Sequence, residues 1–279
     1  MKLEIIHRCT TAMTMAILVL CSMFTVQATP VAAAGFEPQV GQAGKDVVWV
    51  PTAQGLVDRM LDMAKLTAKD IHYDLGSGDG RTVITAAKRG AVAFGVEYNP
   101  DMVELSRENA KKEGVTGQAT FILGDIFLTD FSKATVITLF LLPELNVKLR
   151  PKILDMSPGT RIVSNSFTMG DWKADQSEIA SGDCTSFCTA YLWVVPAKVE
   201  GRWTMGKDDI KFAQHYQMVH GAVSRGDKLM PVLEGRMLGT QISFKSGDSR
   251  YLGKVVGNRI EGTITTAGKS VPWIANRAQ

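Results

Sequence analysis

Three carboxylates stand at the ends of successive apolar runs. The run 71–75 carries Asp74 and stops at Gly76-Ser77-Gly78-Asp79-Gly80, three glycines spaced by two. The run 91–97 ends in Glu97, and the run 119–123 is followed by Gly124-Asp125-Ile126. Glycines at the first turn let the backbone approach a ligand, because no Cβ stands in the way. A carboxylate at the tip of a second strand suits a ribose diol, since it accepts hydrogen bonds from two hydroxyls. An acid beside an apolar residue after a third strand suits an adenine: Asp125 accepts from the exocyclic amine and Ile126 packs on the ring. The nicotinamide fingerprint G-x-G-x-x-G does not fit, because its third glycine would fall on Arg81.

The elements that must position these acids alternate. Strands are expected over 71–75, 91–97, 119–123, 134–139, 161–166 and 190–195, and helices over 81–88 and from Asn99-Pro100 to about Lys112. Asn99 is the expected cap there, with Pro100 at the first helical position. A helix over 53–66, capped by Thr52, has apolar residues at helical spacing, and another over 144–156 contains Pro151 as a kink or break. Strands alternating with helices give an α/β fold, a doubly wound Rossmann-like parallel sheet with helices on both faces. After Pro196 the pattern changes to short alternating runs punctuated by glycine, with hairpin turns marked at Asp227, Ser246-Gly247-Asp248 and Val256-Gly257-Asn258. That reads as a small antiparallel β domain, barrel-like or a curved meander.

The pattern Asp74-x-Gly76-x-Gly78-x-Gly80, then Glu97, then Asp125, resembles the class I S-adenosylmethionine-dependent methyltransferases. The resemblance implies S-adenosyl-L-methionine as cofactor, held by Thr52, Asp74, Gly76, Ser77, Gly78, Asp79, Glu97, Asp125 and Ile126. Two readings of Asp79 and Arg81 stand side by side: contact with the methionine part of the cofactor, or pairing with each other. Val50-Pro51-Thr52, Met60-Leu61, the 73–81 loop and Leu149-Arg150-Pro151 narrow the resemblance further. They are similar to the small lysine methyltransferases related to the mitochondrial enzymes that act on the ATP synthase c-ring protein and adenine nucleotide translocase. That implies a protein lysine as methyl acceptor. Many amine methyltransferases carry Asp/Asn-Pro-Pro-Tyr/Phe at the fourth strand tip, where this chain has Leu141-Leu142-Pro143-Glu144. Glu144 and Pro143 are therefore the expected catalytic pair, and a helix-start acid favoured by the dipole is the competing account of Glu144.

The first stretch reads as an export signal. Lys2 and Arg8 precede an apolar run over 12–26, and Ala32-Ala33-Ala34 offers a cleavage site before Gly35. The expected division is a signal peptide over 1–34, a linker over 35–46, a methyltransferase domain over 47–198 and a small all-β domain over 199–279. The mature protein is then expected to be periplasmic or secreted, and an uncleaved leader would instead anchor it to the membrane. A net charge of +3 over 279 residues implies no nucleic-acid partner. Cys184 and Cys188 could join if the backbone turns between them, which an oxidising compartment allows. With no other cysteine in the mature chain and scattered histidines, no metal site is expected. An exported methyltransferase meets a cofactor made in the cytosol, so a non-catalytic envelope binding protein on the same scaffold is the alternative.

Overall fold

The computed structural model describes residues 36–278, and the expected leader lies outside them. Residues 36 onward form one compact unit. Its first half is a seven-stranded sheet in the order β3-β2-β1-β4-β5-β7-β6. The strands are β1 (Ile71–Leu75), β2 (Val92–Glu97), β3 (Ala119–Leu123), β4 (Val136–Leu139), β5 (Arg161–Asn165), β6 (Gln176–Ile179) and β7 (Thr189–Val194). Strands β1 to β5 pair in parallel. β7 runs antiparallel to β5, and β6 antiparallel to β7. β6 is the strand the sequence pattern did not reveal. Its Gln-Ser-Glu-Ile is polar and exposed on this edge, so no alternation marks it.

Four helices cover the sheet: α1 (Gln54–Met63), α2 (Arg81–Lys88), α3 (Pro100–Lys112) and α4 (Pro143–Leu154). α1, α2 and α3 lie on one face. Val57, Leu61, Val83, Ala87 and Val103 pack there against Ala93 and Phe121, while Leu56 and Met60 meet Val136, Val163 and Ala190. Leu149 and Ile153 of α4 pack on the opposite face, against Leu75, Ile137 and Leu139. Successive residues of a central strand therefore serve two separate cores, which is why β4 is buried at every position.

Three local expectations are corrected. Thr52 does not cap α1; the N-cap is Ala53 without a side-chain bond, and Thr52 Oγ1 accepts from Asn165 Nδ2 at 3.3 Å instead. Pro151 does not end α4, which runs through it to Leu154. Residues expected as a linker are folded: Ala43 and Val48 bridge, Trp49 N–H donates to Gln42 O at 2.9 Å, and the segment lies over the sheet's C-terminal edge. Asn99 caps α3 as expected, accepting from Asp101 N–H at 2.9 Å.

The second half is a closed antiparallel barrel of eight strands. They are β8 (Gly201–Met205), β9 (Asp208–His215), β10 (Met218–Arg225), β11 (Lys228–Leu238), β12 (Gln241–Ser246), β13 (Ser249–Val256), β14 (Arg259–Thr266) and β15 (Lys269–Arg277). The expected hairpin turns fall between β10 and β11, β12 and β13, and β13 and β14. Trp203, Phe212, Phe244, Tyr251 and Trp273 fill the interior, with Phe244 stacked on Tyr251 at 4.4 Å between ring centres. Closing eight strands around so small a core brings backbones together, and a Cβ at Gly221 would lie 1.8 Å from Lys211 O.

The barrel is fastened to the sheet. Trp172, fully buried, stacks on Tyr216 at 5.8 Å. Arg236 of β11 donates to Asp175 at 2.6 Å, and Asp175 also accepts from Val194 N–H.

Candidate active site

One cavity of about 540 Å³ opens at the C-terminal edge of the parallel strands, lined by Asp74, Glu97 and Asp125 together. Carboxylates far apart in the chain converge because β1, β2 and β3 are adjacent and parallel, so their C-terminal ends share one edge. The glycine turn follows β1 directly. Gly76, Gly78 and Gly80 take φ of +87°, +53° and +82°, a region costly for any residue with a Cβ. A Cβ at Gly78 would lie 2.7 Å from the indole nitrogen of Trp49.

Each acid is held differently. Glu97 Oε2 accepts from Gly78 N–H at 2.9 Å, and Oε1 accepts from Tyr98 and Asn99 N–H at 2.9 and 3.0 Å. Three backbone donors thus orient this carboxylate at the strand tip. Asp74 is buried, and its Oδ1 accepts from Thr138 Oγ1 at 2.6 Å. Burial, with the nearby Glu97 and Asp79 carboxylates adding to it, pushes the Asp74 carboxyl up to about 7. Thr138 Oγ1 also lies 2.8 Å from Nε2 of the buried His72, whose imidazole burial holds neutral with its pKa down to about 3. Asp125 accepts from Lys45 Nζ at 2.6 Å and from Phe127 N–H at 2.8 Å, and the lysine bond holds it below the usual carboxylate range. Asp79 and Arg81 pair with each other, at 2.6 to 3.1 Å, and Arg81 also donates to Thr52 O.

Ser77, Ile126 and Thr52 line the same cavity. Pro143 and Glu144 do not. Leu142 and Leu145 take the cavity side of this turn, while Glu144 is exposed on the first turn of α4. The expected catalytic pair therefore stands beside the cavity rather than in it. An acid at the second position of a helix is stabilised by the helix dipole, and that suffices to account for Glu144.

Of the rest of the lining, the sequence offers residues 165–169, and so Phe167, as a substrate mouth, but gives no sign of Trp49, Lys45, Phe140 or Phe187. Trp49 and Lys45 come from the stretch read as a linker or its border, and Lys45 also lies 4.6 Å over the Tyr98 ring. Phe140, Phe167 and Phe187 form an aromatic wall with ring centres 5.5 to 6.2 Å apart. Phe187 belongs to the β6–β7 connection, where Cys184 and Cys188 form a disulfide with Cα atoms 5.7 Å apart. The backbone turn that the pairing required is present.

The residues fit S-adenosylmethionine. The glycine cradle leaves backbone room, the Glu97 carboxylate is oriented for a diol, and Ser77, whose buried Oγ has no partner, is among the lining residues. Carboxylates suit a ligand that carries both an ammonium and a sulfonium. Fold and site together define a class I S-adenosylmethionine-dependent methyltransferase. Residues 74–176 match the family model described as the ANTKMT methyltransferase domain. A protein-lysine N-methyltransferase of Saccharolobus islandicus is 43% identical over 153 residues, which are 53% of this chain and 94% of that protein. The adenine nucleotide translocase lysine N-methyltransferase of Mus musculus is 32% identical over 102 residues, 36% of this chain and 44% of that protein. The match thus spans less than half the length of the mouse relative. Among solved structures, an RNA methyltransferase of Salinibacter ruber in complex with S-adenosyl-L-homocysteine is 47% identical, with a TM-score of 0.50. That alignment covers 54% of this chain and 96% of the other. The chain belongs to the ANTKMT family of S-adenosylmethionine-dependent methyltransferases, and S-adenosylmethionine is its cofactor.

Proposed function

We propose that this methyltransferase modifies the ε-amine of a protein lysine and that it works outside the cytosol. The observation that carries the acceptor class is the aromatic wall of Phe140, Phe167 and Phe187 at a cavity whose other end holds the three strand-tip acids. A long, thin, basic side chain is what such a wall suits. The name of the Saccharolobus islandicus relative supports the same acceptor. In this reading Glu97 holds the ribose, Asp125 and Ile126 hold the adenine, and the 76–80 loop with Asp74 holds the amino-acid end. Thr52 and Asp79 act at one remove, through the Arg81 contacts that fasten α2 to the segment ahead of α1. When bound, the cofactor supplies a methyl group already activated on a sulfonium. The chain's own residues have to orient the amine in line with it and keep water out. No side-chain base is assigned, since Glu144 lies outside the cavity.

Export is supported by the leader pattern, Lys2 and Arg8 before an apolar run and then Ala32-Ala33-Ala34, and by a disulfide of the kind oxidising compartments preserve. Alkaline phosphatase fused after Gly35 is expected to be active; inactivity would place the domain on the cytosolic side. The acceptor is tested with methyl-labelled cofactor, the purified chain and a cell-envelope extract. Label recovered as methyl-lysine after acid hydrolysis, and absent with Glu97→Ala, is the expected result. Label confined to RNA would replace the lysine reading, and cofactor binding without any transfer would return the non-catalytic one.

A further inference from the structure

The 184–188 disulfide ring sits at the mouth of the site, not at a distance from it. Phe187 is the fourth residue of that five-residue ring, and it takes a left-handed φ of +55°, which a phenylalanine rarely adopts unless its surroundings impose it. Its ring centre lies 5.5 Å from Phe140 and 6.0 Å from Phe167, yet the residue remains 44% exposed. It is thus a half-covered ring facing the cavity opening, not a core residue. Phe140 directly follows β4 and Phe167 comes two residues after β5, so both are placed by the sheet. Phe187 comes from the chain between β6 and β7, which is itself neither helix nor strand. Three fastenings hold it: the disulfide, Ala180 N–H on Cys188 O at 2.8 Å, and the Asp183 carboxylate accepting from Gly55 N–H at 3.3 Å.

We infer that Phe187, held by the Cys184–Cys188 bond, is a specificity-determining residue: the third face of a cation-binding acceptor mouth that receives an alkylammonium head and its methylene stem. This rests on the methyltransferase reading and says which acceptors that site takes. Aromatic faces attract ammonium groups, including methylated ones that can no longer donate hydrogen bonds in full, so the wall serves acceptor and product alike. The disulfide's part is positioning: it fixes a surface loop whose one large side chain completes the wall.

The test uses the full mature chain with S-adenosylhomocysteine bound and tetramethylammonium as the probe, followed by calorimetry. The wild-type protein is expected to bind the probe. Phe187→Ala is expected to weaken it roughly 3- to 30-fold, the span that losing one ring face corresponds to. Phe187→Tyr should restore it, and the Cys184→Ser/Cys188→Ser pair should weaken it towards the alanine level. S-adenosylhomocysteine affinity, unchanged in every variant, reports that each remains folded. Probe affinity that Phe187→Ala leaves unchanged overturns the inference, as does a serine pair that behaves like wild type for the positioning half of it. A folded wild-type chain that fails to bind S-adenosylhomocysteine would fail the methyltransferase reading itself, a different result from a lost probe site.

Discussion

At the scale of single residues, Asp74 carries a large electrostatic tension. Its carboxyl is buried, and burial raises its pKa to about 7 from an ordinary value near 4. The folded chain therefore binds a proton that the unfolded chain has lost between those two values. Stability falls as pH rises through that window, and the deficit is complete above about pH 7. Asp74→Asn keeps an oxygen for the Thr138 hydroxyl but carries no charge. The variant is expected to melt a few degrees above wild type at pH 8 and to match it at pH 4, by thermal unfolding of the cofactor-free protein. A gain at pH 4 equal to that at pH 8 would show that charge burial is not the cause. The same variant should bind the cationic cofactor less well at pH 8, since it has given up a carboxylate in the cavity.

At the scale of elements, the glycine turn and the 42–52 segment act as one unit. Trp49 stands so close to Gly78 that a methyl group at position 78 would meet the indole at 2.7 Å, with φ already at +53°. Gly78→Ala must displace Trp49 or distort the turn that aims a backbone N–H at Glu97. Cofactor affinity is expected to fall by more than about tenfold in calorimetry, corresponding to the loss of at least one charge-assisted hydrogen bond. Lys45 fastens the other end of the segment to Asp125, and the pair is partly exposed, so its own contribution to stability is small. Lys45→Met is expected to leave the melting temperature within a degree or so while raising the cofactor's dissociation rate in stopped-flow measurements.

At the scale of the whole molecule, the barrel is tied to the sheet by a buried stack and by polar contacts of differing exposure. Asp175 has a nearly inaccessible side chain and is shared between Val194 of the sheet and Arg236 of the barrel. Removing Arg236 leaves a buried carboxylate short of a donor. Arg236→Ala is expected to cost about 1–3 kcal/mol, read in urea unfolding, with the lower end favoured because the arginine is partly exposed. The unfolding should also lose cooperativity, because the barrel has its own aromatic core and the sheet its own two. A single transition with unchanged midpoint would show that the Arg236–Asp175 pair is not what couples the halves.

The acids, the glycine turn and the strand-helix alternation were legible in the chain because each is local. A strand tip, a positive φ and a 3.6-residue period leave their mark within a few residues. From these came the sheet and Asp74, Glu97 and Asp125 as one group, and the cofactor came from the family resemblance that those residues carry. The barrel was legible as short strands between glycine turns; its closure was not, since the β8–β15 seam joins the two ends of the domain, Trp203 to Arg277. That Glu144 stands outside the cavity lining was hidden for the same reason that Phe187 was missed. Which side of a strand tip faces the cavity, and which distant loop returns to it, depends on packing and on one disulfide, and neither leaves a periodic trace in the residues themselves.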